Sequence, residues 1–244
     1  MKLSIVIPAY NEENYLKPCL EAINGAVKAA GREVEIIVVN NASQDRTKEI
    51  ALSFSGVSVV DEPKKGITWA RQAGYLKSTG ELIANIDADT RMPLTWITKV
   101  FEYFEAKPKL VALSGPYIYY DFTPFKNFLG QVYYRIGFTF NWLTKPFRLG
   151  AMIQGGNFIL RRSALEKIGG FDTNISFYGE DTDVAVRIKK HGQIIFSFKL
   201  PMYSSARRLK GEGFWTMAPR YSFNYFYYLI YKKPYTKKYI DIRS

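Results

Sequence analysis

The chain has 244 residues, of which 47% are hydrophobic. That is enough for one large domain or two small ones with a substantial core, and it excludes wholesale disorder. A formal charge of +12, from 34 Lys and Arg against 22 Asp and Glu, points to anionic partners: nucleotide, phospholipid or nucleic acid.

The N-terminal apolar run, Leu3 to Ile7, is too short for a signal peptide and reads as a first strand. Asn11 to Asn14 starts a helix that runs from Tyr15 to Ala30 and stops at Gly31. Glu33 to Val39 reads as a second strand. Ser43 or Asp45 is placed to cap a helix reaching about Ser53. Val57 to Val60 is a third strand, and Thr68 to Lys77 a helix ending near Gly80. Glu81 to Ile86 is a fourth strand, followed by a helix from Leu94 to Glu105. This fourfold alternation predicts an α/β fold: a mostly parallel sheet with helices on both faces.

The second half is less regular. Leu110 to Ser114 reads as a short strand. Phe122 to Leu143 has Phe125, Phe128, Leu129, Val132, Ile136, Phe140 and Leu143 at helical spacing. Gln154-Gly155-Gly156 turns into a strand from Asn157 to Leu160. Arg162 to Ile168 is a helix closed by Gly169-Gly170. Gly179 to Asp183 opens a helix reaching about Lys190 and ended by Gly192. Ile194 to Phe198 is a last strand, and Phe214 to Tyr231 an aromatic helix. There is no run of 18 apolar residues, so no spanning helix is expected. No linker or repeat separates the halves, so one compact body is expected. Its parts are residues 1–114, 115–205 and 206–244.

Polar residues gather where the first four strands end. They are Pro8 to Glu12, Asn40 to Asp45, Lys64 to Gly66, and Asp87-Ala88-Asp89. Ligands of open α/β sheets bind beyond the carboxyl ends of the strands, so four such clusters make a nucleotide-sized site. Asp87 and Asp89 lie two apart at a strand end, where side chains at i and i+2 point the same way. Two hard oxygen ligands there suit Mg²⁺ or Mn²⁺, and such an ion suits a diphosphate. Alone, the pair reads better as a solvated turn. Its place as the fourth strand end gives it weight.

In order and spacing these motifs resemble the family 2 inverting glycosyltransferases, which have the GT-A fold. The matching segments are Ser4 to Glu12, Asn41 to Asp45, Lys65-Gly66 with Ala70 to Gly74, and Asp87 to Asp89. They continue through Gly155 to Phe158, Arg161 to Leu165, Gly169 to Asp172 and Gly179 to Asp183. The resemblance implies that Pro8, Ala9, Tyr10 and Glu12 line base and ribose, with Lys65, Gly66 and Arg71 also at the nucleotide. It implies that Asp87 binds ribose or assists the metal, that Asp89 coordinates the metal on the diphosphate, and that Asp181 is the catalytic base. Gly155 and Asn157 would let backbone approach the sugar, and Arg207 with Arg208 would close over the phosphates. Asn41 stands where many relatives have an aspartate facing the base. An asparagine accepts or donates, so UDP, GDP and dTDP all stay open as the donor nucleotide. Many relatives have a histidine metal ligand near Arg207. Here the lone histidine, His191, sits at a helix end before Gly192, where it complements the helix dipole.

The implied reaction is a single displacement at the anomeric carbon of a nucleotide sugar by a hydroxyl of a carbohydrate or lipid-linked acceptor, in cell-envelope synthesis. Asp181 reads equally well as a helix cap. Cys19, with apolar neighbours, reads as core. As the only cysteine it permits no intrachain disulfide, which fits a cytoplasmic protein at the inner face of the membrane. From Arg207 to Arg243 nine Lys or Arg face only Glu212 and Asp241. There, Trp215, Phe223, Phe226, Tyr227 and Leu229 either pack on the sheet or dip into headgroups. In the second case Lys232, Lys233, Lys237 and Lys238 meet anionic lipid. Three rivals stand beside this reading. A nucleotidyltransferase needs a glycine-rich first loop, and Pro8 to Glu12 has no glycine. A nucleic-acid-binding protein fits the charge but lacks a recognisable module, so no nucleic-acid partner is expected. A non-catalytic nucleotide-sugar-binding relative would have no need of Asp89 and Asp181.

Overall fold

The computed structural model describes residues 1–144, 151–175 and 177–236. The first half follows the predicted alternation. β1 (Leu3–Ala9), α1 (Leu16–Ala30), β2 (Val34–Asn40) and α2 (Thr47–Leu52) come first. β3 (Val57–Asp61), α3 (Ile67–Lys77), β4 (Leu82–Ile86), the two-residue β5 (Thr90–Arg91) and α4 (Trp96–Ala106) follow. Then come β6 (Leu110–Ser114), β7 (Tyr117–Tyr119), α5 (Pro124–Thr144), β8 (Asn157–Arg161) and α6 (Arg162–Lys167). The described chain closes with α7 (Glu180–Ile188), β9 (Gln193–Phe196), β10 (Met202–Ser204), α8 (Arg207–Glu212) and α9 (Phe214–Tyr231).

Seven strands form the main sheet, in the order β3-β2-β1-β4-β8-β6-β9. Neighbours pair in parallel except β8, which runs antiparallel to both β4 and β6. The prediction of a mostly parallel sheet holds, with β8 the exception. β1, β4 and β6 are buried along their whole length, as expected of strands covered on both faces.

α1 shows how the helices seat. Leu16, Cys19, Leu20, Ile23 and Ala26 recur at helical spacing and are buried against the sheet. The helix stops at Gly31, whose left-handed φ of 59° lets its N–H reach the Val27 carbonyl. Residues of α1 and α4 join one apolar core, and those of α3, α6 and α7 join the core on the opposite face. Cys19 is core, and burial pushes its thiol up to about 12.

Three features were not legible beforehand. β5, β10 and β7 form a second small sheet, in that order. α8 occupies Arg207–Glu212, a span with no predicted element. The predicted helix to Lys190 ends at Ile188 and tightens into a 3-10 turn, Lys189–His191, leaving His191 exposed.

α3 lies close to β1 because Gly74 faces it. A Cβ at Gly74 would sit 2.2 Å from Val6 Cγ1, which cannot be accommodated without moving helix or strand. Gly74→Ala is expected to destabilise the fold by about 1–3 kcal/mol. A urea titration should show a lower midpoint with an unchanged slope.

Candidate active site

The loops after β1 and β2 are stapled into one rim. The backbone N–H groups of Asn11, Glu12 and Glu13 donate to Ser43 Oγ at 3.1 Å, Thr47 Oγ1 at 2.7 Å and Asp45 Oδ2 at 3.0 Å. Gln44 N–H returns a bond to Asn11 Oδ1 at 2.9 Å. Ser43 therefore bridges loops instead of capping α2, while Asp45 Oδ1 accepts the Thr47 N–H at 3.0 Å at the start of that helix. Asn41 ties in the third loop. Its Nδ2 donates to the carbonyls of Glu62 at 3.0 Å and Lys64 at 2.7 Å, and its Oδ1 accepts the Gly66 N–H at 2.8 Å. The side-chain amide expected to read the base is thus engaged in shaping the Lys64–Gly66 turn. Lys65 places its Nζ 3.8 Å from the Tyr10 ring centroid.

The floor of the cleft is a buried cluster of charges. Arg71, expected at the nucleotide, is only 2% exposed. Its guanidinium is ion-paired with Glu180 and lies 3.5 Å from Asp87 Oδ1. The Tyr117 hydroxyl lies 2.9 Å from Asp87 Oδ2 and 2.6 Å from the Gly155 carbonyl. The Gly155 N–H donates to Asp181 Oδ2 at 3.1 Å. A single residue, Gly155, therefore links the candidate base to the tyrosine that holds Asp87. The next residue must be glycine: Gly156 has φ 77°, and a Cβ there would stand 2.1 Å from Asp87 Cγ.

Asp181 also accepts the Thr182 N–H at 2.7 Å, at the start of α7. The cap reading does not hold, because α7 already begins at Glu180 after Gly179 and has no side-chain cap; Asp181 instead lies in the first turn, where its charge suits the helix dipole. Burial raises the Asp181 pKa, opposed by the Thr182 N–H and by Arg71. Burial pushes Glu180 up to about 8 despite the attraction of Arg71.

A second cation closes the other side. β10 pairs with β5, Ser204 opposite Thr90, and so carries Arg207 to Asp89. Arg207 Nε donates to Asp89 Oδ2 at 2.8 Å, and Nη2 to Glu12 Oε1 at 2.5 Å. These two acids raise the Arg207 pKa against burial. Arg208 pairs with Glu212 at 3.0 Å and lies 4.6 Å over the Phe177 ring. Among the described residues, no three His, Cys, Asp or Glu side chains converge as a ready-made metal cage. The donor set fits instead a hard cation held by one or two carboxylates plus substrate phosphates, the usual Mg²⁺ arrangement.

The charged groups Glu12, Arg71, Asp87, Asp89, Glu180, Asp181 and Arg207 line one cleft of about 500 Å³. Among the predicted residues, Pro8, Ala9, Tyr10, Glu12, Asn41, Lys65, Gly66, Arg71, Asp87, Asp89, Gly155, Asp181 and Arg207 all face it. Asn157 does not. It is wholly buried in the sheet, accepting from Trp96 Nε1 at 3.1 Å and donating to the Gly115 and Leu200 carbonyls at 3.0 and 3.1 Å. Sequence reasoning missed Tyr117, which carries no local motif. It also missed the pairing of Glu180 with Arg71, although Glu180 stands next to Asp181 in the Gly179 to Asp183 segment.

The sequence profile of glycosyl transferase family 2 matches residues 4–169, well over half of the chain. The chain belongs to glycosyl transferase family 2. A profile for the N-terminal domain of galactosyltransferase matches residues 145–209. The probable glycosyltransferase YdaM of Bacillus subtilis is 31% identical over 81% of this chain, and the chain spans 49% of that relative. A dolichol-phosphate mannosyltransferase of Pyrococcus furiosus is 36% identical over 42% of this chain and 30% of its own length. The fold matches the mannosyltransferase PcManGT of Pyrobaculum calidifontis, solved with GDP-Man and Mn²⁺. The TM-score is 0.66 at 19% identity, over 84% of this chain and 56% of that one. The family 2 member described here therefore has the GT-A fold.

Glu180 has a consequence for stability. Its pKa rises from the ordinary 4.5 to about 8 on folding, so the folded state keeps a proton that the unfolded chain loses. Its contribution is complete below the unfolded value and is lost as pH rises to about 8. Urea midpoints measured between about pH 5 and 8.5 should fall with pH, and Glu180→Gln should remove most of that slope.

Proposed function

We propose that this protein transfers a glycosyl group from a nucleoside diphosphate sugar to a hydroxyl of a carbohydrate or lipid-linked acceptor, with inversion. The observation that carries this reading is the Gly155 link, which joins Asp181 on the α7 side to Asp87 on the β4 side of one cleft. A single displacement needs a base on the acceptor side and charge neutralisation on the leaving-group side. Asp181 takes the proton of the attacking hydroxyl. Its raised pKa makes it a better base than an ordinary carboxylate. Tyr117 and Arg71 hold Asp87 toward the ribose. Asp89, with Asp87 in support, would hold Mn²⁺ or Mg²⁺, which supplies Lewis-acid charge to the diphosphate. Arg207 adds positive charge beside it. The rim from Pro8 to Glu12, with Lys65 and Gly66, would take base and ribose.

The mannosyltransferase neighbour, solved with GDP-Man and Mn²⁺, supports a nucleotide-sugar donor and a divalent ion. The dolichol-phosphate mannosyltransferase relative supports a lipid-linked acceptor; work at the inner face of a membrane in envelope synthesis is our own extension of that reading. Residues 1–114 would serve the donor and 115–205 the acceptor.

Asp181→Asn should lower kcat by about 10²–10⁴, with folding and donor affinity retained. Near-normal turnover would remove Asp181 as the base. A thermal-shift panel of UDP-, GDP-, dTDP- and CMP-linked compounds tests the donor site directly, since a ligand that binds only the native state must raise the melting temperature. One nucleotide should stabilise wild type in a Mn²⁺-dependent way, and Asp89→Ala should lose that dependence. No shift with any nucleotide would overturn the donor site.

A further inference from the structure

The basic surplus of the chain resolves into two kinds of cation. Toward the C-terminus, Lys232 and Lys233 are exposed after α9, while Lys237 and Lys238 lie outside the described residues. On α9, Trp215 and Phe223 are exposed, but Leu229, expected at a headgroup layer, packs instead with Ile175, Val186 and Tyr228. Among the described residues, no helix is long and apolar enough to cross a membrane. Arg207 is different: it is a cation set inside the cleft, on the carboxylate expected to hold the metal.

The base of this residue is fixed. The Ser205 hydroxyl donates to Asp121 Oδ2 at 3.1 Å, and the Ala206 N–H to Asp121 Oδ1 at 2.6 Å. Lys210 Nζ adds a third bond to the same carboxylate at 2.9 Å. The Arg207 N–H in turn donates to Ser205 Oγ at 3.2 Å. Asp121 thus pins the start of α8 and directs Arg207 inward. The head group has a different set of partners. Nε meets Asp89 Oδ2, Nη2 meets Glu12 Oε1, and the guanidinium lies 4.4 Å from the Tyr15 ring centroid. A long side chain on a fixed base can exchange these partners without moving the helix.

The Glu12 side chain is only 4% exposed and that of Asp89 only 13%. Carboxylates so enclosed need a countercharge, and Arg207 supplies it. A divalent ion arriving alone would have to displace the guanidinium from the oxygen it seeks, and would leave that guanidinium unpaired. A diphosphate changes the balance. Its oxygens accept a guanidinium in bidentate geometry, and they complete the coordination of an ion held by one or two carboxylates. A monophosphate brings a single phosphoryl group, too little to take both cations.

Resting on the glycosyltransferase reading, we propose that Arg207 is the resident countercharge of Asp89 and Glu12, and that a nucleoside diphosphate draws it off Asp89 as the divalent ion enters. Ion and diphosphate then load together, each raising the affinity for the other by the same factor. Arg207 thereby becomes a specificity residue: it keeps the ion site closed to a donor that carries one phosphate.

Mn²⁺ binding to the full chain tests this, read from the EPR signal of free Mn²⁺. The titration is run without nucleotide, with UDP, GDP or dTDP, and with the matching monophosphate, each corrected by a protein-free titration for Mn²⁺ held by the nucleotide itself. The nucleoside diphosphate that stabilises wild type should tighten its Mn²⁺ binding by about 10–100-fold, and the monophosphate should not. Without nucleotide, Arg207→Gln should bind Mn²⁺ about tenfold or more tightly than wild type, and the diphosphate should then add little. The double variant Arg207→Gln, Asp89→Ala should lose that gain, which locates the ion at Asp89. Melting curves in EDTA control for folding, and added Mn²⁺ should raise the melting temperature of Arg207→Gln more than that of wild type. Arg207→Lys, which lacks the planar fork that spans both carboxylates, should fall between the two and carries the test where Arg207→Gln folds poorly. Variants at Arg207 that bind nucleotide-free Mn²⁺ no better than wild type overturn the proposal, as does wild type that binds Mn²⁺ equally with and without a diphosphate that stabilises it. The nucleotide-free arms do not depend on the donor, so a protein that no nucleotide stabilises strikes the donor reading instead.

Discussion

The cleft depends on a buried guanidinium. Arg71 is almost fully enclosed, with Glu180 and Asp87 upon it and Asp181 close enough to shift its pKa. An isolated charge in such a place would cost several kcal/mol, and three acids without a cation would cost more. Each side of the cluster therefore makes the other tolerable. This fixes the relation of α3, which brings Arg71, to β4, which ends at Asp87, and to α7, which begins at Glu180. The glycine pair is part of the same constraint, because a side chain at Gly156 would occupy the space of Asp87 and Tyr117.

Arg207 repeats the principle at the mouth. It spans Glu12 from the first loop and Asp89 from the fourth. The two arginines differ in what they can do. Arg71 sits in the floor, where its removal would leave buried acids unmatched. Arg207 reaches in from α8, a short helix held by one small sheet, and its carboxylate partners are the groups a divalent ion would seek. The inner arginine belongs to the architecture, while the outer one bridges two loops at the mouth of the cleft.

Much of this could be read from the residues because the first half is locally encoded. Apolar strands, amphipathic helices and polar loops follow one another in register, and each loop falls at a strand end by topology alone. Asp87, Asp89 and Asp181 were legible as motifs. Tyr117 was not, because nothing around it distinguishes a hydroxyl bound to Asp87 from a core tyrosine. Asn41 and Asn157 looked like ligand residues. Their amides instead satisfy backbone groups, and that depends on which carbonyls the fold brings near. Arg71 was expected at the nucleotide and lines the cleft, but its carboxylate partners come from β4 and α7, far along the chain. The small sheet of β5, β10 and β7 escaped because strands of two or three residues carry no periodicity.

The antiparallel β8 has a consequence for how the chain assembles. Ile86 at the end of β4 pairs with Asn157 at the start of β8. Until β8 arrives, β4 is an open edge that is apolar but for Asn85, the kind of surface that invites pairing with another chain. During synthesis, a ribosome must add the whole of α5 before that edge can be sealed. Such long-range closures are slow relative to local helix formation. The early α/β half thus waits, folded in outline but unprotected, for a strand from the second half. The two halves are bound to one another through the middle of a shared sheet, so neither would make a clean building block for exchange between proteins.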